Sequence, residues 1–254
     1  MIRLIRSELL KLRTTSSPWV LLIVTLLLTA LGVITAFLIP NGNRVTFGAP
    51  TTIYRYRLLL GAGDTAVWMS AILGMLCVTG EYRHKVITTT LLVEPKRAYV
   101  LVAKSVASVL WGLILCASTF VMVAALGLPL LSAEGGSASI LLHQAGAVVP
   151  GLFAAFAIIA LFGVGFGTLV RNQVVGIVAV LGGSFILEPI LDGLIPSVAK
   201  WLPSAAAGAV AGGLGTRADR AFLLSWWLGA LVLAAWGIVP TVIGYFTTFT
   251  RDVT

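Results

Sequence analysis

The sequence predicts an all-α polytopic membrane protein with six transmembrane helices, and its composition and the spacing of its apolar runs are the observations that predict it. Of the 254 residues, 59% are hydrophobic and only 10% are charged, whereas soluble domains carry about 25% charged residues. The mean hydropathy is +1.04. Crossing a bilayer takes about 20 apolar residues, and runs of that length recur along the chain. Residues 1–254 are therefore predicted to form a single transmembrane domain.

Prolines, glycines and charged residues delimit the predicted spans. The six spans are residues 18–39, 58–79, 99–128, 145–170, 174–195 and 222–249. The first is predicted to open with Ser17 as N-cap and Pro18 at the first helical position. Its apolar run exceeds the roughly 7–15 residues of a signal-peptide core, so we expect it to be retained.

Residues 1–17 are predicted to form an amphipathic helix in the plane of the membrane surface. Ile2, Ile5, Leu9 and Leu12 recur at helical spacing. Four basic residues surround this apolar stripe, namely Arg3, Arg6, Lys11 and Arg13. Basic side chains on such a helix bind anionic headgroups, which makes the lipid bilayer the first predicted partner.

Residues 81–94 form a charged amphipathic segment between the second and third predicted spans. Helical spacing predicts one polar stripe, formed by Glu81, Lys85, Thr88 and Leu92 with Thr89 beside them. Glu81 four residues before Lys85 favours an ion pair worth about 0.2–0.5 kcal/mol. Pro95 ends the predicted helix. Two interpretations remain open: a helix resting on the headgroups, or a docking helix for a soluble partner.

The region after the fifth span contains too many helix breakers for one more span. Residues 196–216 include Pro196, Lys200 and Pro203, and irregular backbone at membrane depth survives only against protein or water. We therefore predict short re-entrant or interfacial helices here. Glu188, just before them, is either a functional intramembrane carboxylate or a structural one at the interface.

The basic residues predict the topology, because Lys and Arg accumulate on the cytoplasmic side. Six spans place eleven basic residues on one side: Arg3, Arg6, Lys11, Arg13, Arg83, Lys85, Lys96, Arg97, Lys104, Arg171 and Arg251. The other side receives six: Arg44, Arg55, Arg57, Lys200, Arg217 and Arg220. Both termini and the 81–94 segment are therefore predicted to face the cytoplasm, with Lys104 snorkelling to that interface.

The residues that common catalytic chemistry requires are missing or scattered. The sequence has no G-x-x-x-x-G-K-[ST] phosphate-binding loop. His84 and His143, the only histidines, fall in predicted loops on opposite sides, and Cys77 and Cys116 lie inside apolar runs. Basic residues flank the spans instead of forming a nucleic-acid patch. We predict no catalytic residue, no metal site, no cofactor and no nucleic-acid partner for this chain.

An ordered set of short motifs resembles the membrane-spanning permease subunit of type-2 ATP-binding-cassette (ABC) exporters, as found in actinobacteria. The motifs extend along the whole chain. They are Leu12-Arg13-Thr14-Thr15, Ser17-Pro18-Trp19, Gly80-Glu81-Tyr82-Arg83, Ile87-Thr88-Thr89-Thr90-Leu91-Leu92, Pro95-Lys96-Arg97, Ala103-Lys104, Leu169-Val170-Arg171-Asn172-Gln173, Trp201-Leu202-Pro203 and Arg251-Asp252-Val253. Lys85 departs from the family, in which a small residue is more usual at that position.

The resemblance implies a multi-pass subunit of the plasma membrane that pairs with a second permease, identical or paralogous, above two cytoplasmic ATPase subunits. Those subunits would bind ATP and Mg²⁺. The 81–94 segment would be the family's coupling helix, whose partner-binding residues here are Glu81, Tyr82, Arg83, Lys85, Thr88, Thr89 and Leu92. The N-terminal helix with Arg3, Arg6, Lys11 and Arg13 would be its connecting helix, and residues 196–216 its extracellular re-entrant helices.

The function expected from the resemblance is export of an amphiphilic or apolar substrate, such as a drug, lipid or peptide. Aromatic side chains that could line the path are Phe37, Trp68 and Phe185. A secondary carrier working without ATP is the alternative, and it would require inverted repeats and a charge at the membrane midplane. A non-transporting membrane scaffold or sensor is the other alternative.

Overall fold

The structure, a computed structural model, describes residues 1–38, 53–84, 86, 96–133, 135–170, 172–212 and 223–249. The described part is helical and contains no strand. In these ranges, six helices are long and apolar enough to cross a membrane. We number them span 1 to span 6: Ser16–Leu38, Tyr56–Arg83, Arg97–Ala133, Ala138–Val170, Gln173–Leu194 and Trp226–Thr247. The predicted all-α, six-span architecture is confirmed at this level.

The spans begin and end a few residues from their predicted positions. The difference at the end of span 2 matters most, because it changes the position of predicted partner-binding residues. Span 2 continues through Arg83, four residues beyond the predicted end at Thr79, and closes with a turn at His84. Glu81, Tyr82 and Arg83 therefore form the last turn of span 2 instead of opening a separate helix. The rest of the predicted 81–94 helix, apart from His84 and Val86, lies outside the described residues.

Helical segments of other types interrupt three of the spans. Span 2 comprises the last residues of helix Ile53–Leu60, a 3₁₀ turn at Gly61–Ala66 and helix Val67–Arg83. Span 3 contains a π-helical turn at Val123–Gly127 between helices Arg97–Met122 and Leu128–Ala133. Span 5 divides similarly into Gln173–Gly182, a π-helical turn at Gly183–Leu187 and Glu188–Leu194, and span 6 passes from helix Trp226–Gly244 into a π-helical turn at Tyr245–Phe249.

Within the described ranges, three further helices lie outside the spans. The N-terminal helix is Ile2–Thr14, and two short helices, Pro196–Ala199 and Pro203–Val210, follow span 5. The Trp19 indole N–H donates to the Arg13 carbonyl at 3.1 Å, which satisfies one of the carbonyls left open at the end of the N-terminal helix.

Span 4 is the central helix of the bundle and packs against spans 2, 3 and 6. Its crossing with span 2 is close because glycines face backbone on both sides. A Cβ atom added at Gly163 would collide with the Ala71 carbonyl, and one at Gly74 would collide with the Ala160 carbonyl. Small residues at a crossing allow two helix backbones to approach this closely. Spans 2 and 4 form the core, while span 5 is only 17% buried.

The two ends of the bundle can be named by the ends of span 2. At the Arg83 end, the Arg83 guanidinium donates to the Gln173 side chain at 3.1 Å. At the Arg57 end, Nε of Arg57 donates to the Gln144 side chain at 3.1 Å. The N-terminal helix lies at the Arg83 end, and the two short helices lie at the Arg57 end.

Candidate functional site: a buried ion-pair cluster

Two lysines and two glutamates meet at the Arg83 end, where the N-terminal helix contacts spans 2 and 3. Glu8 and Lys11 come from the N-terminal helix, Glu81 from the last turn of span 2 and Lys104 from the second turn of span 3. We call these four residues the ion-pair cluster. Its formal charges cancel, since two ammonium groups face two carboxylates.

Helical periodicity brings Glu8 and Lys11 to the cluster. Leu4, Glu8, Lys11 and Leu12 recur at intervals of three and four residues, so they share one face of the N-terminal helix. Leu4 and Leu12 pack against buried hydrophobic residues of the bundle. This apolar contact presses the face onto spans 2 and 3 and carries Glu8 into the interior.

Lys104 is the central donor of the cluster. Its ammonium group donates to Glu8 Oε2 at 2.9 Å and to the Cys77 carbonyl at 3.1 Å, and it lies 2.7 Å from Glu81 Oε1. An ammonium group has three N–H donors, so the three acceptors match it in number. The Lys104 side chain is 1% exposed. The prediction that Lys104 snorkels to the interface is therefore wrong, because buried carboxylates meet its charge inside the bundle.

Lys11 lies on the solvent-facing side of the cluster. Its ammonium group donates to Glu8 Oε1 at 2.6 Å and to Glu81 Oε1 at 2.8 Å, and its side chain is 43% exposed. Burial alone lowers the pKa of Lys11, but the hydrogen bonds and charges of Glu8 and Glu81 outweigh it and raise the pKa. Lys11 is therefore protonated throughout the physiological pH range.

Glu81 joins the two lysines through one oxygen. Oε1 lies against both ammonium groups, whereas Oε2 is buried and accepts no hydrogen bond from the described residues. At 9% exposure, Glu81 faces the bundle and not the surface stripe predicted for it. Lys85, its predicted partner, lies outside the described residues, as do Thr88, Thr89 and Leu92.

The remaining basic residues predicted for partner or headgroup binding are exposed around the cluster. Arg3, Arg6 and Arg13 lie on the outer face of the N-terminal helix, and Arg83 is exposed at the end of span 2. Tyr82, beside it, is half-buried. The cluster therefore lies beneath a surface that carries several basic side chains with no carboxylate partner among the residues that the structure describes.

The three aromatic residues predicted for a substrate path have different environments. Trp68 is buried and makes an edge-to-face contact with Phe162, with ring centroids 6.3 Å apart. Phe37 is half-buried and packs against the same core. Phe185 is 46% exposed on span 5. Trp68 contributes to packing between spans 2 and 4, and a role of the three rings in a substrate path stays a prediction.

Glu188 lies at the opposite end of the bundle and has a structural partner. The Ser204 backbone N–H donates to its carboxylate at 2.9 Å. Ser204 is in the first turn of helix Pro203–Val210, where the exposed N–H groups favour a negative charge. The structural interpretation of Glu188 is thereby supported by a defined contact.

Sequence reasoning placed Glu81 and Lys11 at functional surfaces but missed Glu8 and misplaced Lys104. Two signals in the sequence could have found them. Glu8 is the only acidic residue of a strongly basic helix, and it lies on the face that packs. Lys104 is the only charged residue between Tyr99 and Leu128, and an ionisable residue inside a span usually has a partner.

These features define a class: a helical protein with six potential membrane spans whose surface helix is fixed to the bundle by buried ion pairs. No protein-family model matches the sequence, and no curated protein matches it. The resemblance to type-2 ABC permease subunits therefore rests on the sequence motifs alone.

Proposed function

We propose that this chain is the transmembrane subunit of an ABC transporter and that ATP hydrolysis in separate nucleotide-binding subunits drives export of an amphiphilic or apolar substrate. The transporter would lie in the plasma membrane with both termini cytoplasmic. It would contain a second permease copy, identical or paralogous, and two ATPase subunits that bind ATP and Mg²⁺. The chain itself would have no catalytic residue.

The ion-pair cluster is the observation that carries this proposal. A subunit driven from outside needs a stiff connection between the surface that receives the force and the spans that move. Lys104 contacts Glu8 of the surface helix and Glu81 of span 2 at 2.9 and 2.7 Å, so three elements are held together at one point. His84 follows Glu81 by only three residues, so the chain passes directly from this contact into the rest of the 81–94 segment, which is predicted to dock.

The close crossing of spans 2 and 4 supports transmission farther into the bundle. Because backbone meets backbone at Gly74 and Gly163, little side-chain volume is available to absorb a displacement. A shift of the Arg83 end would therefore move spans 2 and 4 together. The exposed basic residues around the cluster offer a surface for an acidic partner.

Site-specific photo-cross-linking tests the proposal. We would replace His84, which is exposed at the Arg83 end, with a photoreactive amino acid in cells that keep the native chromosomal context. The matched control is Trp226, which is 71% exposed at the Arg57 end. We expect a protein with a phosphate-binding loop to be captured from position 84 and not from position 226.

A charge reversal measures the coupling. Arg83→Glu should lower the ATPase activity that co-purifies with the chain by about 5-fold or more, as expected for coupling of at least about 1 kcal/mol. Lys200→Glu, at the other end, should leave that activity unchanged. Capture from both positions, or purification of the chain without any ATPase, would contradict the proposal and favour a carrier or a scaffold.

A further inference from the structure

An apolar cavity lies between spans 2, 3 and 4 toward the Arg57 end. Its volume is about 360 Å³, and only aliphatic and aromatic side chains line it. Phe120 of span 3 and Phe153 of span 4 stack in its wall, with ring centroids 5.9 Å apart and planes 10° from parallel. The volume falls in the range of about 300–1,000 Å³ typical of small-molecule sites. Without polar groups to bind water, the cavity suits a hydrocarbon group.

The backbone of span 3 changes helix type at the cavity. The π-helical turn covers Val123–Gly127, and two of its residues, Val123 and Ala124, line the cavity. Such turns are rare in helices and frequent at functional sites. Here the turn coincides with the wall of the space.

A cationic group lies one helical turn beyond the cavity. Leu60 lines the cavity, and Arg57 precedes it by three residues on the same helix face. Arg57 is half-buried, and its Nε donates to Gln144, next to the lining residue Ala145. Within the ranges that the structure covers, this hydrogen bond is the only polar contact of Arg57. Its guanidinium has five N–H donors, so most of them remain available to a ligand.

We propose that this site binds an anionic membrane phospholipid, with one acyl chain in the cavity and the phosphate against Arg57. The apolar lining selects the chain. The guanidinium N–H groups of Arg57 that bond no described residue select the anionic headgroup, since arginine binds phosphate oxygens through two parallel hydrogen bonds. The site is distinct from the ion-pair cluster at the other end. It does not depend on the transport function proposed above, because a lipid could bind here with or without an ATPase partner.

Native mass spectrometry of the delipidated full-length protein would test the site. The probes are palmitoyl-oleoyl phosphatidylglycerol and the matching phosphatidylcholine, added separately at equal concentration. We expect phosphatidylglycerol to bind at least about 10-fold more tightly, which corresponds to about 1.4 kcal/mol. Arg57→Gln should abolish this preference while the shared chain contacts remain.

Ala124→Trp should block the cavity and weaken binding of both lipids. Val121→Trp is the matched control, because Val121 lies on the same helix and is 69% exposed outside the cavity. Lys200→Gln is the control for loss of a cation at the same end. Equal binding of the two lipids to the unsubstituted protein, or unchanged binding after Ala124→Trp, would overturn the proposal.

A second measurement tests the site even if the Ala124→Trp variant fails to fold. Phosphatidylglycerol with a photoreactive diazirine at the end of its acyl chain would be cross-linked to the unsubstituted protein. Adducts on the peptides that contain Phe120 and Phe153 are expected. Adducts confined to the exposed face of span 5 would contradict the site.

Discussion

The two ends of span 2 hold charge in opposite ways. At the Arg83 end, Glu81 and Lys104 are buried in a neutral cluster of four charged side chains. At the Arg57 end, the half-buried guanidinium of Arg57 has one polar contact among the described residues, the neutral side chain of Gln144. A buried charge with charged partners fixes geometry but is costly to disturb, whereas a half-buried charge with a neutral partner can accept a ligand. The charges at the Arg83 end therefore hold three helices in a fixed arrangement, whereas the charge at the Arg57 end can bind a ligand.

The largest loss in the free energy of unfolding is expected from Lys104→Met, which would remove the central cation of the ion-pair cluster at the Arg83 end. The substitution keeps the length of the side chain but leaves the carboxylates of Glu8 and Glu81 with Lys11 as their one described partner. Removing one member of a buried ion pair costs about 3–5 kcal/mol. Chemical unfolding in mixed micelles should show this loss, with Lys200→Met, a cation at the other end, as the control. A loss below about 1 kcal/mol would show that the cluster is hydrated and does not hold the helices in a fixed arrangement.

A smaller effect is expected from Glu188→Gln at the Arg57 end. The carboxylate accepts the Ser204 N–H, and an amide would keep one acceptor but lose the favourable charge at the helix N-terminus. Such charge effects are about 0.3–1 kcal/mol. Comparison with Glu188→Ala in the same unfolding assay separates the charge from the hydrogen bond, since Ala removes both. Equal losses for the two variants would mean that the charge alone matters.

Arg57→Gln should change the free energy of unfolding by less than about 0.5 kcal/mol when no lipid is added. Its hydrogen bond to Gln144 is exchangeable, and its charge has no carboxylate partner among the described residues. Addition of phosphatidylglycerol should then stabilise the unsubstituted protein and not the variant, because a ligand stabilises only the state that binds it. A large loss without lipid would show that Arg57 has a structural role.

A rise in pH from 7 to 9 should leave docking of the N-terminal helix unchanged. The folded-state pKa of Lys11 is raised above its ordinary value of 10.5. Its contribution to stability is therefore fully present below 10.5 and is lost only as the pH rises through the folded-state pKa. The labelling rate of a Leu9→Cys variant, at a partly buried position of the helix, would report docking. Thiol labelling itself accelerates with pH because the thiolate is the reactive form, so the rate is divided by that of Ser7→Cys, an exposed position of the same helix. A rise in this ratio at pH 9 would contradict the assignment.

Most of the architecture could be predicted from the sequence, because apolar runs report membrane spans directly. The N-terminal helix also follows from its periodicity, and its observed bounds, Ile2–Thr14, agree with the amphipathic stripe. The end of span 2 could not be predicted, since Glu81 and Arg83 suggest an exit from the membrane. Their side chains instead contact residues distant in sequence: Glu81 pairs with Lys11 and Lys104, and Arg83 donates to the neutral Gln173.

The candidate site was harder to predict than the fold for the same reason. The contact between Glu8 and Lys104 joins residues 96 positions apart, and no local pattern encodes it. The pairing of Glu81 with Lys85 is a local pattern, but the structure gives Glu81 two other lysines. A cation inside a span indicates that a partner exists, but only packing shows which residue it is.

The order of the cluster along the chain also bears on how the protein is made. Glu8 and Glu81 precede Lys104 in the sequence, so both carboxylates have been synthesised before span 3 leaves the ribosome. Inserting a lone lysine into the bilayer costs about 2.5–3.5 kcal/mol at the helix centre. If the carboxylates of Glu8 and Glu81 are already at the membrane surface when span 3 inserts, they can pair with Lys104 and lower much of this cost. Glu8, Glu81 and Lys104 would thus serve both the insertion of span 3 and the rigidity of the folded bundle.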